Sequence, residues 1–139
     1  MSPEKKRHHK PAIILTRTDH ERLSRLAEAH VSRNPEVCEE LLAELDRARI
    51  VQDNKIGAEV VRMGSTIRFT SDRIEERTVK LVFPGEADIA ANRISILTPI
   101  GAALIGLSAG QSIDWVARDG RGRRLHVEQV GPCEIVKVA

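Results

Sequence analysis

Apolar and polar positions recur along this chain with two different periods, and the change from one to the other falls near Gly57. The first apolar run, Ala12-Ile13-Ile14-Leu15, is short enough to pair as a strand or to pack beneath helices. Thr18-Asp19-His20-Glu21 follows as a capping-box pattern, in which Thr18 accepts from the Glu21 backbone N–H and the Glu21 carboxylate reaches back. Leu23, Leu26, Ala27 and His30 then share one face of a predicted helix, with Arg22, Arg25 and Glu28 elsewhere. Asn34-Pro35 restarts the pattern, Asn34 as cap and Pro35 in the first turn. Val37, Leu41, Leu45 and Ala48 recur at spacings of four, four and three, which predicts a seam. Joined at Val31–Asn34, the two helices form an antiparallel hairpin. Arms of about 15 residues project about 20–25 Å, and a seam this short must lean on the rest of the chain to be stable.

Gln52-Asp53-Asn54-Lys55-Ile56-Gly57 reads as a linker, and from Glu59 the period is two. Val61, Met63, Ile67 and Phe69 alternate with Arg62, Thr66 and Arg68, and Arg77–Phe83 alternates likewise, with Ser71-Asp72 as turn chemistry between them. Ile94–Leu97, Ile113–Ala117, Leu125–Val130 and Ile135–Val138 are further predicted strands, and Arg118–Gly122 is a predicted hairpin turn. One more helix is specified residue by residue. Thr98 caps it, Pro99 suits its first position, and Ile100, Ala103, Leu104 and Leu107 follow at helical spacing. Glycines 101, 106 and 110 let this short helix approach other backbone closely and then stop. The sum is an α+β fold: a short N-terminal helical hairpin, then an antiparallel sheet with one packed helix.

Composition narrows the function. Apolar residues make up 41% of the 139, enough for a core, whereas the aromatics are only Phe69, Phe83 and Trp115, too few for a base-stacking nucleic-acid module. The net charge of +2 is unevenly placed. Lys5, Lys6, Arg7 and Lys10 stand against Glu4 alone in the first ten residues, while residues 18–51 carry eight acidic and five basic side chains. The basic run therefore sits on a polar tail, residues 1–11, with nothing to bury and expected to be disordered and solvated. Cys38 and Cys133 are far apart and read as reduced thiols. With no membrane-length apolar run and no signal-peptide core at the start, a cytoplasmic location is expected.

Catalytic templates find little support. Gly101-x4-Gly106 lacks the Lys-Ser/Thr of a phosphate loop, Ser65, Ser95 and Ser112 have no evident histidine to activate them, and His126 reads as an outward-facing strand residue. Glu86-Ala87-Asp88 and Glu75-Glu76 read as solvated turn and edge charges. No catalytic residue, metal ligand or cofactor is expected. A block this well specified between Val82 and Ile113, yet chemically empty, reads as a docking module.

Met63-Gly64-Ser65-Thr66, Glu86-Ala87-Asp88, Ile94-Ser95, Thr98-Pro99-Ile100-Gly101-x2-Leu104-Ile105-Gly106 and Gly110-Gln111 occur in the order in which they stand in the C-terminal domain of bacterial GreA/GreB transcript-cleavage factors, which residues 58–138 resemble. The hairpin, residues 12–52, is much shorter than the Gre coiled coil. Its closing phrase Ala43-Glu44-Leu45-Asp46-Arg47-Ala48 resembles the Rnk family, named for regulation of nucleoside diphosphate kinase; that resemblance covers nearly the whole chain except the tail.

The resemblance implies an FKBP-like fold for residues 58–139 and binding to RNA polymerase, with this domain at the rim of the secondary channel. Carried over by motif, Ser95, Thr98, Pro99 and Ile100 form the rim-contacting loop; equally, Ser95 and Thr98 cap and turn while Ile100 is core, and the sequence leaves both readings open. Gre cleavage uses acids at the hairpin tip to help hold a second Mg²⁺. Here Glu36 and Glu39 occupy the tip that would enter the channel, but carboxylates in a first helical turn also gain from the helix dipole, Arg33 beside them repels a metal, and the arms are short. The expected protein is a monomeric regulator that competes with Gre-type factors without cleaving transcripts. The alternatives are an adaptor acting on a metabolic enzyme such as nucleoside diphosphate kinase, and weak nucleic-acid contact through the tail and Arg118–Arg124. Prolyl isomerisation is disfavoured, since three aromatics cannot line such a site.

Overall fold

The computed structural model describes residues 10–72, 75–116 and 121–131. The predicted strand at 135–138, the turn at 118–122 except for its last two residues, Cys133 and nearly all of the basic tail lie outside them.

The apolar run at the start does pair. Strand β1 (Ile14–Thr16) lies parallel to β2 (Arg49–Val51), a strand the helical pattern did not announce, and α1 (Arg17–His30) and α2 (Pro35–Arg47) run between them. Helix α1 begins earlier than its capping box suggested. Thr16, still extended as the last residue of β1, accepts from the Asp19 N–H at 3.0 Å. Thr18 is inside the helix and turns outward instead, donating both its hydroxyl and its N–H to the Asp53 carboxylate, which these bonds hold below the usual carboxylate range. Pro35 opens α2 as expected, whereas Asn34 makes no side-chain cap. The seam is also offset. Cys38, Leu41 and Leu45 are buried against Leu23 and Ala27, while Val37 is only half-buried and Ala48 lies beyond the helix end in an extended conformation.

Val61 and Met63 alternate with polar residues as expected, yet the first long strand begins only at Thr66. Gly64 takes a φ of +91°, which turns the chain there, and Val61 bonds instead to the segment after α3 (Pro99–Leu104). A five-stranded sheet follows: β3 (Thr66–Ser71), β4 (Arg77–Val82), β5 (Arg93–Ser95), β6 (Ser112–Val116) and β7 (Gly122–Val130), in the order β5-β4-β3-β7-β6. The expected antiparallel pairing holds for β3–β4, β3–β7 and β6–β7, but the edge strand β5 is parallel to β4, so the sheet is mixed. The chain leaves β4 through short 3-10 turns at Pro84–Glu86 and Ile89–Ala91 and re-enters alongside.

One core joins these parts. Ile67, Phe69, Val79, Leu81, Leu125 and Val127 form the inner face of the sheet; α3 lies on it, and α2 packs on α3. Each fully buried Leu or Ile contributes about 1.5–3 kcal/mol. Between hairpin and sheet the contact is also main chain to main chain. Ile14 N–H donates to Gly106 O at 3.1 Å, and Gly106 N–H donates to Val61 O at 3.0 Å. A Cβ at Gly106 would stand 2.9 Å from Ile13 Cβ and 3.2 Å from Ile14 O, at a φ of +82°.

Gly106→Ala should therefore cost about 3 kcal/mol or more, combining left-handed strain with a backbone collision. Gly110→Ala, with a φ of +92° but open space around it, should cost only about 1–2 kcal/mol. Urea denaturation of the two variants checks this; equal losses would count against the close approach.

Candidate functional site

The loop from β5 into α3 is fixed by its own polar side chains. Ser95 Oγ accepts from Leu97 N–H at 2.9 Å. The Thr98 hydroxyl donates to Ser95 O at 2.7 Å and accepts from Gly101 N–H at 3.0 Å, which makes Thr98 the helix cap that the sequence specified. Gly101 is obligatory for this geometry, since a Cβ there would lie 2.3 Å from Ser95 O. Ser95 and Thr98 are thus committed to shaping the loop.

Pro99 and Ile100, half-buried and with no such bonds to make, line with Ser95 and Thr98 a cleft of about 390 Å³. Ile94 and the indole of Trp115 complete its apolar lining, and Arg77 and Arg93 stand in its walls. Ile89, 78% exposed, sits at its mouth. Strands β5 and β6 are opposite edges of the sheet, yet Ile94 and Trp115 line one cleft, so the sheet curls until its two edges flank α3. The Trp115 Nε1 is buried with no hydrogen-bond partner among the described residues. Ser95, Thr98, Pro99 and Ile100, the residues of the motif, all line this cleft, together with Arg77, Arg93, Ile89 and Trp115, which the motif does not include. The available signal was Arg77, which falls in phase with the inward-facing Val79 and Leu81.

At the far end, Glu36 and Glu39 are exposed in the first two turns of α2. Burial pushes the neighbouring Glu40 carboxyl up, against the pull of Lys10. Among the described residues no three His, Cys, Asp or Glu side chains are grouped so as to hold a metal.

Charged residues brace the hairpin and its junction with the sheet. Buried Glu44 pairs with Lys10 at 3.1 Å and with Arg47 at 2.8 Å, while Arg47 also donates to Pro11 O at 2.6 Å. Lys10 is therefore anchored, not part of a solvated tail. Arg22 of α1 lies 4.6 Å from the centre of the Phe83 ring, a cation–π contact across the junction. Asp19, 7% exposed, accepts from Met63 N–H at 3.2 Å. Its burial pushes the carboxyl above the usual range and outweighs that hydrogen bond and the charges of Arg62 and Arg22.

Ser112 does have a histidine. The β6–β7 ladder sets it directly opposite His126, and Ser112 Oγ lies 2.7 Å from His126 Nδ1. The expectation of an unaccompanied serine is corrected by cross-strand register, which local sequence does not show; His126, between the inward Leu125 and Val127, does lie on the outer face and is half-buried. No carboxylate is hydrogen-bonded to this imidazole among the described residues, so the pair lacks the third, orienting group of a nucleophilic triad.

The family model for the transcription elongation factor GreA/GreB C-terminal region matches residues 56–132, and that for the Rnk N-terminus matches residues 11–51. The regulator of nucleoside diphosphate kinase of Escherichia coli (strain K12) is 35% identical over 120 residues, covering 85% of this chain and 88% of that protein. Transcription elongation factor GreA of Rhodospirillum rubrum is 37% identical over 120 residues, covering 80% of this chain and 76% of that protein. Among solved structures, a prokaryotic transcription elongation factor GreA/GreB from Nitrosomonas europaea is 38% identical with a TM-score of 0.68, covering 88% of this chain and 99% of that one.

The raised Asp19 carboxyl gives the junction a defined pH response. A carboxyl that binds its proton more tightly folded than unfolded stabilises the fold at acid pH, and that contribution is lost as pH rises through the folded pKa. Asp19→Asn keeps an acceptor for Met63 N–H without the buried charge. Its melting temperature relative to wild type should rise from about pH 3 to about pH 7; a constant or falling difference in thermal melts would rule this out.

Proposed function

We propose that this chain, which belongs to the Rnk and GreA/GreB family, is a transcription regulator that docks at the rim of the RNA polymerase secondary channel and acts there without cleaving transcripts. The observation that carries this reading is the β5–α3 loop. Ser95 and Thr98 hold it rigid from within, and Pro99 and Ile100 are left at the edge of an apolar cleft. A preformed loop binds with little ordering cost. Residues 12–52 supply reach and residues 58–139 supply docking.

Reach separates this chain from a cleavage factor. The arms of 14 and 13 residues extend about 20 Å, short of what the much longer Gre coiled coil spans. Of the tip carboxylates, Glu36 in the first turn is explained by the helix dipole, and Glu39 stands one turn further along with Arg33 preceding both. The protein acts by occupancy, as a cytoplasmic monomer, blocking Gre-type factors or altering nucleotide access. A second reading, an adaptor for nucleoside diphosphate kinase, is favoured by the name of the Escherichia coli relative.

Competition on purified polymerase core separates the two. The wild-type chain should displace a GreA factor, and the Pro99→Ala/Ile100→Ala variant should bind about tenfold more weakly or worse, as for a central interface anchor. Unchanged polymerase binding in that variant would refute the rim contact. Binding to the kinase with none to polymerase would establish the second reading. Polymerase-dependent RNA cleavage abolished by Glu39→Ala would overturn the assignment as a non-cleaving factor.

A further inference from the structure

Strand alternation puts Arg77 on the row of β4 that carries Val79 and Leu81 into the core. It is half-buried and paired in register with Phe69. Arg68, Arg124, Arg47 and Lys10 each lie beside an acidic side chain. Arg77 and Arg93 have no carboxylate partner among the described residues, and both line the cleft beside α3. A guanidinium placed on an inward row without a counter-charge costs stability unless an anion covers it. Arg77 is such a guanidinium. Arg93, exposed on the opposite row of β5 where it pairs with Lys80 and bridges Asp88 main chain to main chain, adds a second positive charge at the cleft wall; together they mark the cleft as a place where an anionic group arrives.

The rest of the lining decides which anion. Ile94, Pro99, Ile100 and Trp115 are apolar, and Ile89 at the mouth is one of only two large apolar side chains that the described residues leave exposed. A lone phosphate or sugar–phosphate backbone gains nothing from such a surface, and two arginines are far from the basic stripe that holds a nucleic acid. A polypeptide segment with an apolar side chain next to a carboxylate matches both halves. Its apolar side chain fills the space between Ile100 and Trp115, Ile89 packs over it, and the carboxylate meets planar guanidinium donors suited to bidentate pairing.

We propose that this cleft takes an acidic–apolar segment of RNA polymerase, with Arg77 and Arg93 reading the carboxylate and so selecting the partner; this rests on the polymerase-docking reading above. Pro99 and Ile100 then supply contact area, and the arginines supply orientation and association rate.

The test measures affinity for purified polymerase core of the full chain and of Arg77→Glu/Arg93→Glu, Arg77→Gln/Arg93→Gln, Arg93→Glu and Pro99→Ala/Ile100→Ala. Each is measured at about 50 and about 300 mM salt, either side of the physiological screening length. Charge reversal should weaken binding about tenfold or more, the neutral pair less, and the neutral pair should lose most of the salt dependence. Arg93→Glu alone, at an exposed position, carries the test if replacement of Arg77 prevents folding. A benzophenone amino acid at position 89 should cross-link to a polymerase peptide containing Asp or Glu within one helical turn of an apolar residue. Charge-reversed variants that bind like wild type, while Pro99→Ala/Ile100→Ala does not, would overturn the arginine role and leave the docking reading standing. A wild-type chain that fails to bind polymerase would overturn both. A cross-link to nucleic acid, or to a polymerase segment without an acid, would overturn the proposed partner chemistry.

Discussion

At Gly106 the backbone lies so close to Ile13 and Ile14 that no side chain fits between them, and hairpin and sheet meet there through main-chain hydrogen bonds. Side-chain interfaces tolerate repacking, whereas a backbone-to-backbone seam has one register. Val61 on one side and Ile14 on the other are both bonded to Gly106, so the entering strand, the segment before β3 and the exit from α3 are positioned by a single residue. Asp19 on Met63 and Arg22 on Phe83 then add charge-based contacts around a seam already set.

From that seam the site follows geometrically. Helix α3 ends two residues before Gly106 and begins against Ser95 O, where Gly101 permits the approach. With both ends of a six-residue helix tied to backbone, Pro99 and Ile100 have little freedom, and the cleft beside them is shaped by main chain on one side and by the curled sheet on the other. Buried Glu44, held by Lys10 and Arg47, ties the chain's entry to α2, the helix that packs on α3.

How much of this could be read from the residues depended on how local the cause was. The cap at Thr98, the proline at the first helical position and the glycine at 101 act within a few residues, and the helix was legible from them. The same holds for Pro35 and for the alternation in β4. The cap of α1 was misplaced because Thr16 and Thr18 are both competent, and the choice was made by Asp53, which captures Thr18 from 35 residues away. Strand β2 was missed because its three residues form only against β1. Likewise Ser112 and His126, and the convergence of Arg77, Arg93 and Trp115 on one cleft, depend on register and sheet curl.

The parallel pairing of β1 with β2 closes the hairpin at its base, with both helices contained between the two strands. Above that base α2 packs on α3 and α1 reaches Met63 and Phe83, whereas residues 32–34 of the tip are exposed. Turns can then be inserted or deleted near the tip, each adding or removing about 5.4 Å, while the base and the cleft stay as they are. Arm length becomes a parameter that divergence can adjust independently of the junction with the sheet. One scaffold can in this way carry hairpins that differ chiefly in length.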